Sequence, residues 1–224
     1  MRYGSVIFDM DGVLLNSLVD DERWKYDAVK QALSEQGLEA DEVSRRYLRR
    51  FLGDFGRQEC INVCDEYGLE PDRVWELVAE TTNLARIEKV KHGEFEIYDD
   101  ARGFLEALHP RDLGLGVISN APEAAVKTTM QFFEMEHYFS YYRGVESFED
   151  LKKRKPHPKH LKIAQAELKK SPFLYIGDEP SDIKAAESAG MSSALVERNT
   201  VEEEVNPDFR VQNLKVLGRE LGVL

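Results

Sequence analysis

Apolar residues recur at helical spacing through residues 18 to about 92 of the chain. Residues three or four apart share one face of a helix, so each stripe predicts an amphipathic helix. Glycine or proline separates the stripes, and helices with such short connections pack as a small bundle. The four stripes are Trp24, Ala28, Val29, Ala32 and Leu33; Val43, Tyr47, Leu48 and Phe51; Cys60, Ile61, Cys64 and Tyr67; and Val74, Leu77, Val78, Thr81 and Leu84.

The rest of the chain alternates short apolar runs with helical patterns, which predicts a parallel sheet covered by helices on both faces. The expected fold is therefore α/β: a Rossmann-like parallel sheet core from residues 1–17 and 93–224, with a four-helix bundle inserted at residues 18–92. Strands are predicted at residues 6–8, 113–118, 141–145, 173–176, 193–196 and 209–211, and helices at 123–133, 158–168, 182–189 and 214–221.

Two aspartates close the first predicted strand. Asp9 and Asp11 stand at positions i and i+2, which lie on one side of an extended chain. One interpretation is a strand followed by an acidic turn at Gly12. Two carboxylates in one small volume otherwise share a proton or hold a cation between them. A hard cation such as Mg²⁺, which takes oxygen ligands, suits them best.

The strand at residues 113–118 ends in Ser119 and Asn120. Either side chain would serve as an ordinary cap for the helix that Pro122 begins. Together with free helix N–H groups, a hydroxyl at a strand end would instead form an anion site. Both interpretations remain open on these residues alone.

A basic block stands out in an otherwise acidic chain at residues 152–155. Lys152, Lys153 and Arg154 are expected to be a solvated charge run, because no aromatic residues interleave them as in a nucleic-acid patch. Lys155 is different, since prolines at positions 156 and 158 stiffen the chain after it and prepare the following helix.

Two more aspartates follow the strand at residues 173–176. Asp178 lies at the strand end, in the crevice where ligands bind in open α/β sheets and where Asp9 also lies. Asp182 begins a helix that Gly190 closes, and alone it would be a routine N-cap.

In chain order, these four stretches resemble the four motifs of the haloacid dehalogenase (HAD) superfamily. They are Asp9-Met-Asp-Gly-Val-Leu14 after a hydrophobic strand, Ser119 at a strand end, Lys155-Pro-His-Pro158, and Gly177-Asp-Glu-Pro-Ser-Asp182 with an Ala-Ala-x-x-Ala-Gly helix behind it. The resemblance covers residues 1–17 and about 95–200 by motif. Residues 18–92 match by position and helical character, as the cap of the phosphoglycolate-phosphatase and β-phosphoglucomutase-like subgroup.

The resemblance implies the chemical roles of the motif residues. Asp9 would attack phosphorus as the nucleophile. Asp11 would protonate the leaving oxygen and then deprotonate the attacking water. Ser119, with Asn120 beside it, and Lys155 would hold the phosphoryl oxygens.

The resemblance also implies a magnesium site. Asp9, the backbone carbonyl of Asp11, and Asp178 would bind Mg²⁺, and Asp182 would support the site. The implied activity is that of a Mg²⁺-dependent phosphatase, which hydrolyses a small organic phosphate monoester through an aspartyl-phosphate intermediate. Asp11 favours phosphoester chemistry, since the family's dehalogenases need no acid at this position. The residues Asn16-Ser17 depart from the Asp-Ser or Asp-Thr common at the end of the first motif.

Two alternatives share these motifs. A sugar-phosphate mutase of the β-phosphoglucomutase type would transfer the phosphoryl group back to a sugar, whereas a phosphatase transfers it to water. A catalytically silent HAD-fold binding protein would use the fold for binding or assembly.

The net charge of −12, from 42 acidic and 30 basic residues, argues against nucleic acid as a partner. The expected partner is a small phosphorylated metabolite. No run approaches the ~20 apolar residues of a membrane helix, and no signal peptide is expected before the first strand. Cys60 and Cys64 are expected to be buried thiols. These features predict a cytoplasmic monomer or homodimer.

Arginines of the predicted cap are candidates for reading the rest of the substrate. Most are expected to form a solvated basic face opposite the apolar stripe. Arg49 and Arg57 are the two candidates for binding a second anionic group, because a guanidinium suits carboxylate or phosphate. Arg57 is the first of these, since it follows a glycine-flanked loop at residues 53–56.

Overall fold

The computed structural model describes residues 2–18, 22–39, 43–198 and 203–224. In these ranges the chain alternates strands and helices after a helical segment, as the sequence predicts. The strands are β1 Ser5–Phe8, β2 Leu15–Asn16, β3 Glu96–Ile97, β4 Gly114–Pro122, β5 Tyr141–Val145, β6 Phe173–Gly177, β7 Ser192–Val196 and β8 Phe209–Val211. The helices are α1 Arg23–Ser34, α2 Arg45–Phe51, α3 Arg57–Tyr67, α4 Pro71–Lys91, α5 Asp99–Leu108, α6 Glu123–Phe132, α7 Lys159–Leu168, α8 Pro180–Ala189 and α9 Leu214–Glu220.

Six of these strands form one parallel sheet in the order β5-β4-β1-β6-β7-β8. The first strand is central, and alternate residues point to opposite faces. Val6 and Phe8 pack in one apolar cluster, and Ile7 packs in the cluster on the other face. Burial on both faces explains why this strand is an unbroken apolar run. The predicted α/β fold is confirmed.

Helices α1 to α4 supply most of a second apolar cluster, which includes Val29, Phe51 and Val78 and extends to Val145 of β5. Cys60 and Cys64 lie in it as free, buried thiols, as predicted. The placement of Leu84 in the buried stripe of α4 is wrong, because that side chain is 50% exposed. The buried line of α4 instead runs through Val78, Thr82, Arg86 and Val90 at four-residue spacing. The domain boundaries at residues 17 and 93 stay a prediction.

The chain enters the helical segment after β2 and leaves it before β3, and these two short strands pair antiparallel. Leu15 pairs with Ile97 and Asn16 with Glu96. The Tyr98 hydroxyl donates a hydrogen bond to Asn16 Oδ1 at 3.1 Å. The sequence did not predict this pair, because each strand has only two residues and carries no alternating pattern.

The fourth strand runs past its predicted end at residue 118 and continues to Pro122. The expectation that Ser119 or Asn120 caps the next helix is therefore wrong. Pro122 occupies the N-cap position of α6, and neither of the two side chains accepts a bond from the first turn of that helix. Both side chains are thereby left for other contacts.

No helix in the described parts of the chain has the length and apolar content needed to cross a membrane.

Candidate active site

A cavity of about 620 Å³ lies between the carboxyl ends of the central strands and the cap helices α1, α2 and α4. That volume is typical of sites for small molecules. The motif side chains predicted for the site come from segments that are far apart in sequence and meet because parallel strands end at one edge. Six of these motif side chains line the cavity: Asp9, Asp11, Ser119, Asn120, Lys155 and Asp178.

Lys155 lies at the centre of a buried network at the end of the sheet. Its ammonium forms ion pairs with Asp9 Oδ1 at 2.8 Å and with Asp182 Oδ1. It also donates to the Tyr175 hydroxyl at 2.9 Å. That hydroxyl lies 3.1 Å from the carbonyl oxygen of Ile118 and 3.2 Å from Asp182 Oδ1, so Tyr175 links two strands to the lysine. Sequence reasoning missed Tyr175, which looks like one more apolar residue of a buried strand.

Asp182 is held by the backbone of the loop before α8. Its Oδ2 accepts hydrogen bonds from the backbone N–H groups of Asp178 at 3.1 Å and Glu179 at 3.0 Å. Only glycine fits at position 177, because a Cβ there would lie 2.2 Å from Asp182 Cβ. With Oδ1 paired to Lys155, both oxygens of Asp182 have partners, and the residue fixes the loop that presents Asp178.

Three carboxylates are close enough together to share a cation. One oxygen each from Asp9, Asp178 and Asp182 lie within 4.8 Å of one another. The Oδ1 atom of Asp178 is buried and has no hydrogen-bond partner among the described residues. Asp178 also packs against Gly12, where a Cβ would lie 2.1 Å from Asp178 Oδ2 and where φ is +76°. The side chain of Asp11 does not join this cluster.

The cluster is electrostatically unfavourable for two of its acids. Burial raises the pKa of Asp9 to about 7, although the Lys155 ammonium acts in the opposite direction. Burial, with the carboxylates of Asp182 and Asp9, raises the pKa of Asp178 well above its usual range. Burial alone would lower the pKa of Lys155, but Asp182 and Asp9 outweigh burial and raise it well above the usual value. One lysine therefore faces more negative charge than it neutralises.

The carboxylate of Asp11 turns toward the cap and meets Arg86 of α4. The guanidinium donates from Nη1 to Oδ1 at 2.7 Å and from Nη2 to Oδ2 at 3.0 Å, and Ser17 Oγ also donates to Oδ1. Burial would raise the pKa of Asp11, but the Arg86 guanidinium outweighs it and lowers that pKa to about 2. This paired, two-bond geometry is the strongest form of a guanidinium–carboxylate contact.

Sequence reasoning missed Arg86. Its side chain is only 3% exposed, and the guanidinium lies over the rings of Trp24 at 5.4 Å and Phe95 at 6.0 Å. The available signal was its position four residues before Val90 on the buried line of α4, where a charged residue needs a partner. Nothing in the sequence identified Asp11, 75 positions away, as that partner.

The second predicted motif supplies the Ser119 hydroxyl and the Asn120 amide. Ser119 is buried, and its Oγ accepts a hydrogen bond from the Ala121 N–H at 3.1 Å. Asn120 binds the backbone of Lys155 twice, accepting from its N–H at 2.8 Å and donating to its carbonyl at 3.2 Å. The Oδ1 and Nδ2 atoms of Asn120 thus fix the loop that carries Lys155, and neither is left without a protein partner.

The two candidate cap arginines are placed differently. Arg49 lines the cavity and pairs with Asp54 at 3.0 Å. Arg57 is not among the lining residues and pairs with Glu149 at 3.0 Å. Arg154, expected to be solvated, is only 17% exposed, lines the cavity, and donates to the carbonyl of cap residue Leu52 at 2.9 Å. The solvated interpretation is wrong for this residue, because its guanidinium lies in the contact between sheet loop and cap.

Comparison with known proteins gives a family and a fold. The family model for haloacid dehalogenase-like hydrolases matches residues 6–196. The chain is 29% identical over 190 residues to a phosphoglycolate phosphatase from Cereibacter sphaeroides, covering 85% of this chain and 83% of that protein. It is 27% identical over 196 residues to a phosphoglycolate phosphatase from Aliivibrio fischeri, covering 84% and 81%.

Solved structures share the whole fold at lower identity. A predicted phosphoglycolate phosphatase from Haemophilus somnus is similar with a TM-score of 0.69 at 22% identity, covering 99% of both chains. CbbY from Rhodobacter sphaeroides in complex with phosphate is similar with a TM-score of 0.76 at 17% identity, covering 97% of both chains.

The site and the matched family model agree. The chain belongs to the haloacid dehalogenase-like hydrolases, since the model spans most of its length. The predicted family and enzyme class, a HAD-like phosphatase, are confirmed by these relatives.

Proposed function

We propose that this chain is a Mg²⁺-dependent phosphatase that hydrolyses a small organic phosphate monoester through an aspartyl phosphate on Asp9. The observation that carries the proposal is the juxtaposition of Asp9, Lys155 and Asp178 at the end of the central strands. A nucleophilic carboxylate, a cation beside it and an unpartnered carboxylate oxygen are what attack on a phosphoryl group requires.

The residues fit a magnesium ion. The Oδ1 atom of Asp178 lacks a partner among the described residues, and the oxygens of the acidic cluster are the hard donors that Mg²⁺ prefers. Asp9 and Asp178 would hold the ion with side-chain oxygens. Asp182 supports the site, since both of its oxygens already have protein partners. When bound, Mg²⁺ supplies positive charge that neutralises the phosphoryl group and the acids.

The residues of this chain divide the reaction between them. Asp9 Oδ attacks phosphorus and the bond to the leaving oxygen breaks. Asp11 gives that oxygen a proton, which requires Asp11 to have left Arg86 and taken up a proton, because its pKa in the ion pair is about 2. Asp11 then takes a proton from the water that hydrolyses the aspartyl phosphate. Lys155 and the Ser119 hydroxyl hold phosphoryl oxygens as charge redistributes. Asn120 positions Lys155 through its backbone.

The substrate is a small phosphorylated metabolite, by similarity to the phosphoglycolate phosphatases. Arg49 contacts the part of the substrate that lies under the cap in this proposal, and the position of its side chain in the cavity lining supports that role. Arg57 has no comparable support from its position. The cytoplasmic location and the monomeric or dimeric state stay predictions.

The direct test is turnover of p-nitrophenyl phosphate and phosphoglycolate with Mg²⁺ and with EDTA. We expect phosphate release that depends on Mg²⁺, and a higher melting temperature with Mg²⁺ bound. Full activity in a metal-free preparation would contradict this mechanism. Conversion of a hexose 1-phosphate to its isomer without phosphate release would assign the chain to the mutases, and no reaction with any ester would favour a silent binding protein.

A further inference from the structure

We propose that Arg86 is a specificity-determining residue whose guanidinium exchanges Asp11 for a carboxylate of the substrate. The inference rests on the proposed phosphatase function and adds to it the residue that recognises a second anionic group of the substrate. The substrates concerned are phosphate esters of short hydroxy acids, the class that the names of the relatives suggest, in which a carboxylate lies close to the ester oxygen. Asp11 occupies in the free protein the place that the substrate carboxylate takes in the complex.

Both oxygens of Asp11 are occupied in the structure. Oδ1 accepts from Arg86 Nη1 and Ser17 Oγ, and Oδ2 accepts from Arg86 Nη2. A carboxylate that acts on the leaving oxygen must contact that oxygen directly or through one water. Asp11 must therefore give up at least one of its bonds to Arg86 when substrate reacts.

Arg86 cannot follow Asp11 into the site as easily as Asp11 can leave. Its side chain is 3% exposed, on a helix, between the rings of Trp24 and Phe95. Asp11, by contrast, lies in the loop after the first strand, and its side chain is 16% exposed. When Asp11 turns away, a buried guanidinium is left without its carboxylate, which is strongly unfavourable.

A second anion on the substrate removes this penalty. The present contact shows which anion fits: a planar carboxylate, met at 2.7 and 3.0 Å by two parallel N–H groups. Because Asp11 serves the leaving oxygen and contacts Arg86 directly, a carboxylate carried close to the ester oxygen would lie near the vacated guanidinium.

The first arm of the test measures binding without turnover. Glycolate, a two-carbon hydroxy acid, is titrated calorimetrically into wild type, Asp11→Ala, Arg86→Met and the double variant, all with Mg²⁺ present. Asp11→Ala vacates the guanidinium, so we expect glycolate to bind at least about tenfold more tightly than to wild type. That gain should be absent from the double variant, since it requires Arg86.

The second arm measures selectivity as the ratio of kcat/KM for phosphoglycolate to kcat/KM for ethyl phosphate, which lacks a carboxylate. Arg86→Met should lower this ratio by about 10²-fold, on the scale of a lost buried charge pair. Arg86→Lys should lower it less, because lysine keeps the charge without the paired N–H groups. Arg50→Met is the matched control, since Arg50 is a half-buried cap arginine paired with Glu59 and Glu66 that does not line the cavity.

Two failures are distinguishable. Equal glycolate affinity in the four proteins, or an equal loss of both esters in Arg86→Met, would overturn the role of Arg86 while turnover still supports the phosphatase. Absence of any Mg²⁺-dependent turnover in wild type would overturn the proposed function. If Arg86→Met does not fold, the ratio in Arg86→Lys decides, and a ratio equal to that of wild type would overturn the inference.

Discussion

The two ends of the cavity shift the pKa values of their carboxyl groups in opposite directions. At the sheet end, Asp9 and the Oδ1 atom of Asp178 are buried with too little positive charge, and the pKa of each residue is raised. At the cap end, Asp11 meets a full guanidinium, and its pKa is lowered to about 2. The sheet end therefore carries more negative charge than Lys155 neutralises, whereas the carboxylate at the cap end is neutralised by Arg86. We expect changes at the sheet end to affect every substrate alike and changes at the cap end to depend on the substrate.

The largest effect should follow from Asp9→Asn. The amide has nearly the shape of the carboxylate but cannot form an aspartyl phosphate, so turnover of every ester should fall below detection. Phosphate release from p-nitrophenyl phosphate and phosphoglycolate would measure this, with circular dichroism as the control for folding. A folded variant with near wild-type rates would remove Asp9 as the nucleophile.

Asp11→Asn should give a smaller and more selective loss. For alkyl phosphates we expect roughly 10²–10⁴-fold lower kcat, the usual range for removing a general acid–base. The loss should shrink for p-nitrophenyl phosphate, because nitrophenolate leaves without protonation. An equal loss for both leaving groups would mean that Asp11 acts in some other way.

Arg49→Ala should have a milder effect than either aspartate variant. Arg49 lines the cavity, so its removal should lower kcat/KM for phosphoglycolate by about tenfold, equivalent to ~1.4 kcal/mol. Arg57→Ala is the matched control, because Arg57 pairs with Glu149 and is not among the lining residues. The same loss in both variants, or none in either, would exclude a specific role for Arg49.

The smallest expected effect is on stability, and its sign differs between the two motif aspartates. The native pKa of Asp9 is about 7, above the ordinary 3.8, so between these pH values the folded protein keeps a proton that the unfolded chain releases. The free energy of unfolding should therefore fall as pH rises from about 4 to 7, by at most a few kcal/mol. Asp11 contributes oppositely: its stabilisation is lost as pH falls from 3.8 toward 2.

Urea unfolding at pH 5 and 7.5 in EDTA would measure the Asp9 contribution. Wild type should lose more stability across this interval than Asp9→Asn, which has no carboxyl group to titrate at this position. Mg²⁺ should reduce the difference between the two pH values, since bound cation favours the ionised acids. Identical losses in wild type and Asp9→Asn would refute the raised pKa of Asp9.

The sheet end of the cavity was predictable from the sequence for a physical reason. Asp9 and Asp178 each follow an apolar strand, Ser119 follows the apolar part of β4, and parallel strands bring their carboxyl ends to one edge. Local pattern and topology thus suffice to bring these residues together. Tyr175 escaped because a tyrosine in a buried strand gives no sign that its hydroxyl meets Lys155.

The cap end was not predictable in the same way. The pairing of Arg86 with Asp11 depends on how a helix of the cap lies over the sheet, and spacing along the chain does not encode that. The position of Arg154 was not predicted for a related reason. Its neighbours form a basic run, which predicted a solvent-exposed side chain, whereas the cap covers this one side chain. Arg49 and Arg57 are only eight positions apart in the sequence, yet Arg49 lines the cavity and Arg57 does not.

The short pairing of Leu15–Asn16 with Glu96–Ile97 makes the helical segment a part of the chain that could be exchanged. Paired strands are only about 5 Å apart, so the chain leaves and re-enters the sheet at nearly one point. Whatever lies between these strands can lengthen, shorten or be replaced without moving the ends of the sheet strands. A graft that joins Asn16 to Glu96 through a different helical insert would therefore keep Asp9, Lys155 and Asp178 at the strand ends and replace the residues that hold Asp11 and contact the rest of the ester.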